Sequence, residues 1–373
     1  MNLEKLRHID WITYLILVPI LGAGLVSMYA FHGSNAYFLK QLIWIPIAFG
    51  VSIGFSFIDT RILRRSHVIA MLYGVMVFLL AALFVMGSAW KGARGWFNLG
   101  LLAFQPADVM KLVIILLLAK YYSRRHVEIA HVKHIIISGA YVALPALLVL
   151  IQPDFGSAII YLALWFGMTV VSGINKKHLF GVLGIGLVLF GIMWGFVFTQ
   201  HQKNRIITFV APLTDIRGSG WNAYQSTVAV GSGQLIGRGI GEGTQSRLKF
   251  LPEYQTDFIF AAFAEEWGFI GVSLLFIAFL ILIMRILHEG MVGATNFETL
   301  YACGLVIFIT VQFMIHVGMN IGLMPVTGQT LPFMSYGGSH LLTEFAGLGL
   351  LMGMRRFHRV ANREDMKNEF LGF

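Results

Sequence analysis

The sequence predicts an all-α, polytopic integral membrane protein. About ten transmembrane helices form a single integral membrane domain over residues 1–373, with one long extracytoplasmic loop at about 200–264. Three observations predict this class. Only 12% of the 373 residues are charged and 57% are hydrophobic, whereas a water-facing domain carries about 25% charged residues. The apolar residues gather in blocks of roughly 20, the length that crosses a hydrocarbon core at helical rise. The blocks are solid runs rather than period-two alternations, and a backbone in lipid must satisfy its own polar groups, so helices are expected rather than a barrel.

The first three spans are expected at 11–31, 38–58 and 68–88. No clear small-x-small cleavage site follows the first, and further blocks succeed it, so it reads as a retained helix. The fourth, 107–122, opens on "QPADVMK" and is short and charged. The fifth, sixth and seventh, at 135–151, 157–173 and 178–199, are parted by "QPDFG" and by "INKK". The last three are expected at 265–287, 299–322 and 339–354. Alternate loops carry "RILRR", "KYYSRRH" and "NKKH", and the tail begins "MRRFHR"; the loops at 32–37, 152–156 and 322–336 have no Lys or Arg. Basic residues mark the cytoplasmic side in short loops, which places both termini in the cytoplasm and the long loop outside.

One cysteine, Cys303, excludes an internal disulfide. The formal net charge of +9 suits a cytoplasmic face against anionic lipid and an anionic substrate. The basic residues are spread over many short loops and form no stripe, which argues against nucleic acid. The long loop interleaves apolar residues ("NRIITFVAPL", "STVAVGSGQLIG") with Gly, Ser, Gln and Asn, so it is expected to pack onto the membrane domain, and loops of such length are usually functional. Its run "GSGQLIGRGIGEG" lacks the Lys-Ser or Lys-Thr and the strand-to-helix context of a phosphate loop, so nucleotide binding is rejected. His201, His316 and His340 lack metal-ligand spacing, which argues against a zinc site.

The residues that could carry chemistry begin with Asp257 in "FLPEYQTDFIF", set directly against an apolar run. One reading is a helix N-cap or first-turn acid behind Thr256. The other is a carboxylate at the outer membrane surface acting as general base on a hydroxyl. Glu253, Glu265 and Glu266 could share that role or bind a cation, the last two alternatively supporting the head of the eighth span. Asp108 and Lys111 lie three apart, on one face of the fourth span. They read either as an ion pair locking two helices or as the lining of a cavity where Lys111 meets an anionic headgroup. In "KGARGWFNLG", Trp96 suits an interfacial anchor and Arg94 a phosphate grip. "IQPDFGSA", with Gln152 and Asp154, and "MPVTGQTLPFMSYGGS", with Thr327, Ser335 and Tyr336, are span-end breakers or polar backbone lining a cavity.

These pieces, "GARGWF", "QPADVMK", "QPDFGSA", the long stretch from "GSGQLIG" to "EEWGFIG" and "NIGLMPVTGQTLPFMSYGGS", resemble the SEDS family of shape, elongation, division and sporulation proteins over essentially the whole chain. "GTQS" favours its RodA branch. The resemblance implies a peptidoglycan glycosyltransferase of the bacterial cytoplasmic (inner) membrane that polymerises lipid II on the outer face during rod-shape elongation. It implies an essential acid at Asp257 and a paired acid and lysine at Asp108 and Lys111. It also implies partners: a class B penicillin-binding protein that supplies the transpeptidase, and other membrane proteins of the elongation complex. Three departures stand out. Gln255 replaces the usual His, "QPAD" replaces "QPSE" and so shortens the fourth-span acid away from a partner, and "TGQTLPF" is more polar than usual.

A lipid-linked diphosphate donor needs its leaving group neutralised more than protonated, so one base with cations suffices where ordinary glycosidases use two carboxylates. Arg94, Lys111 or a divalent cation (magnesium or manganese) would offset that charge, with Arg205, Arg238 and Arg247 as loop candidates. The substrate-binding set expected with Asp257 also includes Trp96, Asp108, Gln152, Asp154, Glu253, Thr256 and Ser335. Two other classes stay open. A flippase of lipid-linked precursor would hold its key charges near mid-bilayer. A non-catalytic scaffold would be indifferent to substitution at Asp257.

Overall fold

In a computed structural model the chain is an almost wholly helical bundle. The structure describes residues 8–29, 36–90, 93–98, 103–123, 132–196, 198–211, 219–248, 250–251, 253–292 and 295–371. The helices are α1 (Trp11–Tyr29), α2 (Ala36–Ser56), α3 (Ser66–Met86), α4 (Pro106–Ser123), α5 (Val132–Ile151), α6 (Phe155–Val171) and α7 (Lys176–Phe196). Three shorter ones follow in the long loop, α8 (Gln200–Val210), α9 (Ser219–Ser232) and α10 (Thr244–Arg247). Then come α11 (Ile259–Met291), α12 (Asn296–Asn320) and α13 (Gly338–Leu371). Seven of these, α1, α2, α3, α5, α7, α11 and α12, are long and apolar enough to cross a membrane. The rest of the expected ten are α4, α6 and α13. Each of the ten falls on an expected block.

Helix α4 is charged because it is central. It packs on α3, α5, α6, α12 and α13, and its side chains are buried on nearly every face, from Asp108 and Lys111 to Tyr122. A helix that meets protein on all sides can hold polar groups that lipid would penalise. At the opposite extreme, α7 has no buried residue. Close backbone approach ties α2 to α13: a Cβ on Gly349 would stand 2.3 Å from the Ser52 carbonyl oxygen.

A small antiparallel sheet, absent from the sequence reading, joins α3 to α4. β1 (Ser88–Trp90) pairs with β2 (Ala93–Asn98), which pairs with β3 (Ala103–Phe104).

The eighth span departs from expectation in a way that organises the site. Helix begins at Ile259 rather than Glu265, then breaks at Gly268, whose φ of 64° and ψ of −166° no helix allows. The break frees backbone donors, and the glycine run of the loop receives them. The amides of Phe269 and Ile270 donate to the carbonyls of Gln234 and Leu235, at 2.8 and 3.0 Å. In return Arg238 and Gly239 donate to the carbonyls of Glu265 and Glu266. Backbones this close leave no room for side chains: a Cβ on Gly237 would meet the Glu266 carbonyl oxygen at 2.0 Å, and one on Gly268 the Gly237 nitrogen at 2.2 Å. Gly268→Ala adds this clash to a left-handed conformation that alone costs about 1–3 kcal/mol. It is expected to lower the unfolding midpoint in detergent, whereas Gly22→Ala, facing open space, leaves it unchanged.

Candidate active site

The segment from Glu253 to Phe258 is a turn that delivers Asp257 to the start of α11. Glu253 takes a left-handed φ of 53°, and its carbonyl accepts from the amides of Thr256 and Phe258. The cap position of α11 falls on Phe258, which supplies no side-chain cap. Asn320, from the end of α12, does that work from across the bundle: its Oδ1 accepts from the Ala261 amide at 3.1 Å. The Asn320 Nδ2 donates to the backbone carbonyl of Asp257 at 3.0 Å and to that of His316 at 2.8 Å. Ser226 Oγ donates to the Asn320 carbonyl oxygen at 2.9 Å. One buried amide thus ties α9, α11 and α12 at Asp257. Asn320 thus accepts from an early amide of α11, a role the sequence also allows Asp257.

Asn320→Leu leaves the Ala261 donor and the Asp257 acceptor buried without their partner, at about 1–3 kcal/mol for each such group. It is therefore expected to lower both the detergent unfolding midpoint and the rate, read by thermal unfolding and by turnover of the same preparation.

Asp257 itself is half-buried. Its Oδ2 lies 3.8 Å from where a Cβ on Gly328 would sit. Gly328 takes a φ of 75°, so the loop between α12 and α13 turns beside the carboxylate with no side chain of its own. The same loop brings Arg205 in, since its guanidinium donates to the Thr327 carbonyl at 3.4 Å. Beyond it a cleft between α8, α9 and residues 322–326 is lined by Arg205, Tyr224, Thr227, Met324 and Val326. On the other flank Gln329 packs so tightly on Gly156 that a Cβ there would lie 2.3 Å from its amide nitrogen.

Of the residues named from sequence, Glu253, Thr256 and Arg205 gather around Asp257. Ser335 joins them indirectly, donating to the Thr256 carbonyl at 2.9 Å, but it is buried and supports the backbone. Four of the residues expected at the substrate are engaged within the protein. Asp108 and Lys111 form a buried ion pair at 2.8 Å, with the ammonium over the Phe308 ring; the pair faces protein rather than an open cavity. The shortened acid also still reaches its partner. Gln152 is buried and donates to the Leu80 carbonyl at 2.6 Å, tying α5 to α3. Asp154 caps α6, accepting from the Ser157 amide and hydroxyl at 3.0 and 2.7 Å. Trp96 sits on β2, opposite Ser88. The side chains of Arg94 and Arg247 lie outside the described residues.

Glu265 and Glu266 do not join Asp257 either. Glu265 Oε1 accepts from the Gln245 amide and the Thr244 hydroxyl, and Glu266 Oε1 from the Gly241 amide. They hold the glycine loop in the broken helix. Among the described residues no three His, Cys, Asp or Glu side chains converge as a metal cage. A divalent cation held by one or two carboxylates and a substrate diphosphate needs no such cage.

The pattern of the family described as Cell cycle protein (FtsW/RodA/SpoVE) matches residues 6–360. The chain is 32% identical over 361 residues to the peptidoglycan glycosyltransferase MrdB of Escherichia coli (strain K12), covering 95% of this chain and 96% of that one. It is 32% identical over 362 residues to stage V sporulation protein E of Bacillus subtilis (strain 168), covering 94% and 98%. Its fold is similar to a chain of a peptidoglycan synthase complex described for its structural coordination of polymerization and crosslinking, with a TM-score of 0.81, 29% identity, and 94% and 98% covered. The crystal structure of the rod shape determining protein RodA of Thermus thermophilus matches with a TM-score of 0.70, 28% identity, and 94% and 97% covered.

Proposed function

We propose, for a chain that belongs to the FtsW/RodA/SpoVE family of cell cycle proteins, that Asp257 is the general base of glycan polymerisation on the outer face of the membrane. The chain is a multi-pass membrane peptidoglycan glycosyltransferase. The observation that supports the role of Asp257 is its half-buried carboxylate at the head of α11, beside Gly328 and the Arg205 bonded to Thr327.

Lipid II is a disaccharide-peptide on a polyprenyl diphosphate, with one end for acyl chains and one for water. Asp257 takes the proton from the acceptor sugar's 4-hydroxyl as that oxygen bonds to the donor's anomeric carbon. The bond from that carbon to the diphosphate breaks, configuration inverts, and the polyprenyl diphosphate leaves with the electron pair. Charge grows on the leaving group, and a fixed cation stabilises it without reorganisation. We assign this role to Arg205, which donates to the carbonyl of Thr327, the neighbour of the Gly328 that faces Asp257. Both termini lie in the cytoplasm in this reading, following the basic short loops. The partner is a class B penicillin-binding protein acting beside other elongation proteins, a reading supported by the likeness to a chain of a peptidoglycan synthase complex.

The experiment supplies lipid II in detergent to the purified chain with its transpeptidase partner. No membrane remains to be crossed, so a flippase yields no polymer, whereas this reading yields glycan strands on a gel.

A further inference from the structure

A buried charged cluster surrounds the Asp108–Lys111 pair. His340 of α13 has Nδ1 3.5 Å from Asp108 Oδ1 and Nε2 2.8 Å from Glu344 Oε1. Gln312 of α12 also faces that Nε2, at 3.0 Å. His340, Glu344 and Gln312 are all buried, and charges so placed are costly unless the fold uses them.

The far oxygen of Glu344 shows the use. Its Oε2 accepts from the backbone amide of Phe333 at 2.8 Å. Phe333 has a φ of 58°, a conformation that bulky residues adopt only when their surroundings impose it. Gln312 fixes the start of the same turn, donating to the Thr330 carbonyl at 3.1 Å. The turn is closed by the Leu331 amide on Ser335 Oγ at 2.8 Å. Ser335 then donates to the Thr256 carbonyl, and the Tyr336 amide to the Gln255 carbonyl at 2.9 Å. Bonded contacts thus run from the α13 carboxylate through one strained turn to the residues just before Asp257.

We infer that Glu344, backed by His340, is a positioning residue for glycosyl transfer, holding the Thr330–Ser335 turn from which the Asp257 segment hangs. The inference rests on Asp257 as the base. Glu344 touches no substrate and acts through the placement of another group. A displacement of about 1 Å at a reacting group can cost on the order of 100-fold in rate.

The test compares Glu344→Gln, which keeps an oxygen for the Phe333 amide, with Glu344→Met, which does not. A third protein, His340→Phe with Glu344→Met, removes both members of the contact and leaves Asp108 and Lys111 paired, which guards against misfolding from a stranded charge. Two readouts are taken on each: hydrogen exchange of the segments 253–258 and 330–336, and turnover of lipid II with the transpeptidase partner. In both Met-containing proteins, exchange of both segments is expected to rise and kcat to fall by about 10- to 100-fold, with KM within about threefold. Glu344→Gln is expected to restore both. Unchanged exchange in the Met proteins overturns the inference whatever their activity. So does a Gln variant as impaired as Met, or raised exchange with wild-type kcat. Failure of the Asp257 reading looks different: raised exchange as expected, alongside an Asp257→Asn protein that still polymerises.

Discussion

Lys111→Met is expected to destabilise the bundle by about 3–5 kcal/mol, because it strands Asp108 as a buried charge. The ammonium and the carboxylate are 2.8 Å apart and both side chains are all but inaccessible. His340 faces the same Asp108 oxygen at 3.5 Å but is already engaged with Glu344, so it cannot replace the lost cation fully. Removing both charges together, as Asp108→Asn with Lys111→Met, is expected to return most of the stability, since a buried pair often contributes little net over neutral packing. Unfolding midpoints in detergent read the difference. A Lys111→Met protein as stable as wild type, with its KM for lipid II sharply raised, would instead return Lys111 to the substrate.

Asp257→Asn is expected to lower the polymerisation rate by about 10² to 10⁴-fold, the usual loss on removing a general base. The change is isosteric and leaves the Asn320 bond to the residue 257 carbonyl in place. Asparagine keeps the side chain's size and an accepting oxygen, so the unfolding midpoint should hardly move. Rate and stability separate at this position, whereas they fall together at Asn320. A variant that loses rate and stability alike would mark Asp257 as a structural acid.

The spans were legible because burial in lipid writes itself as block length, and every expected block carries a helix. Asp257 stands out for a related reason: a charge against "FIFAAF" is expensive unless used. What could not be read was tertiary. Nothing local distinguishes Asn320 in "GMNIG" from an ordinary helix end, because its partners lie on α9 and α11. The glycine run lacks a phosphate-loop signature, but its purpose, filling the break at Gly268, depends on a backbone remote in sequence. Gln152 and Asp154 sit in polar motifs that resemble a lined cavity, yet one ties two helices and the other caps a third. The sheet from Ser88 to Phe104 has strands too short for any periodicity to show.

In the proposed function the Asp257 carboxylate takes the proton from the acceptor hydroxyl. A single-turnover assay tests it most directly, with lipid II in excess detergent and matched preparations of wild type and Asp257→Asn, each bound to the transpeptidase partner. Wild type is expected to form the first glycosidic bond and the folded, partner-bound variant almost none. Bond formation at equal rates in the two preparations would contradict it.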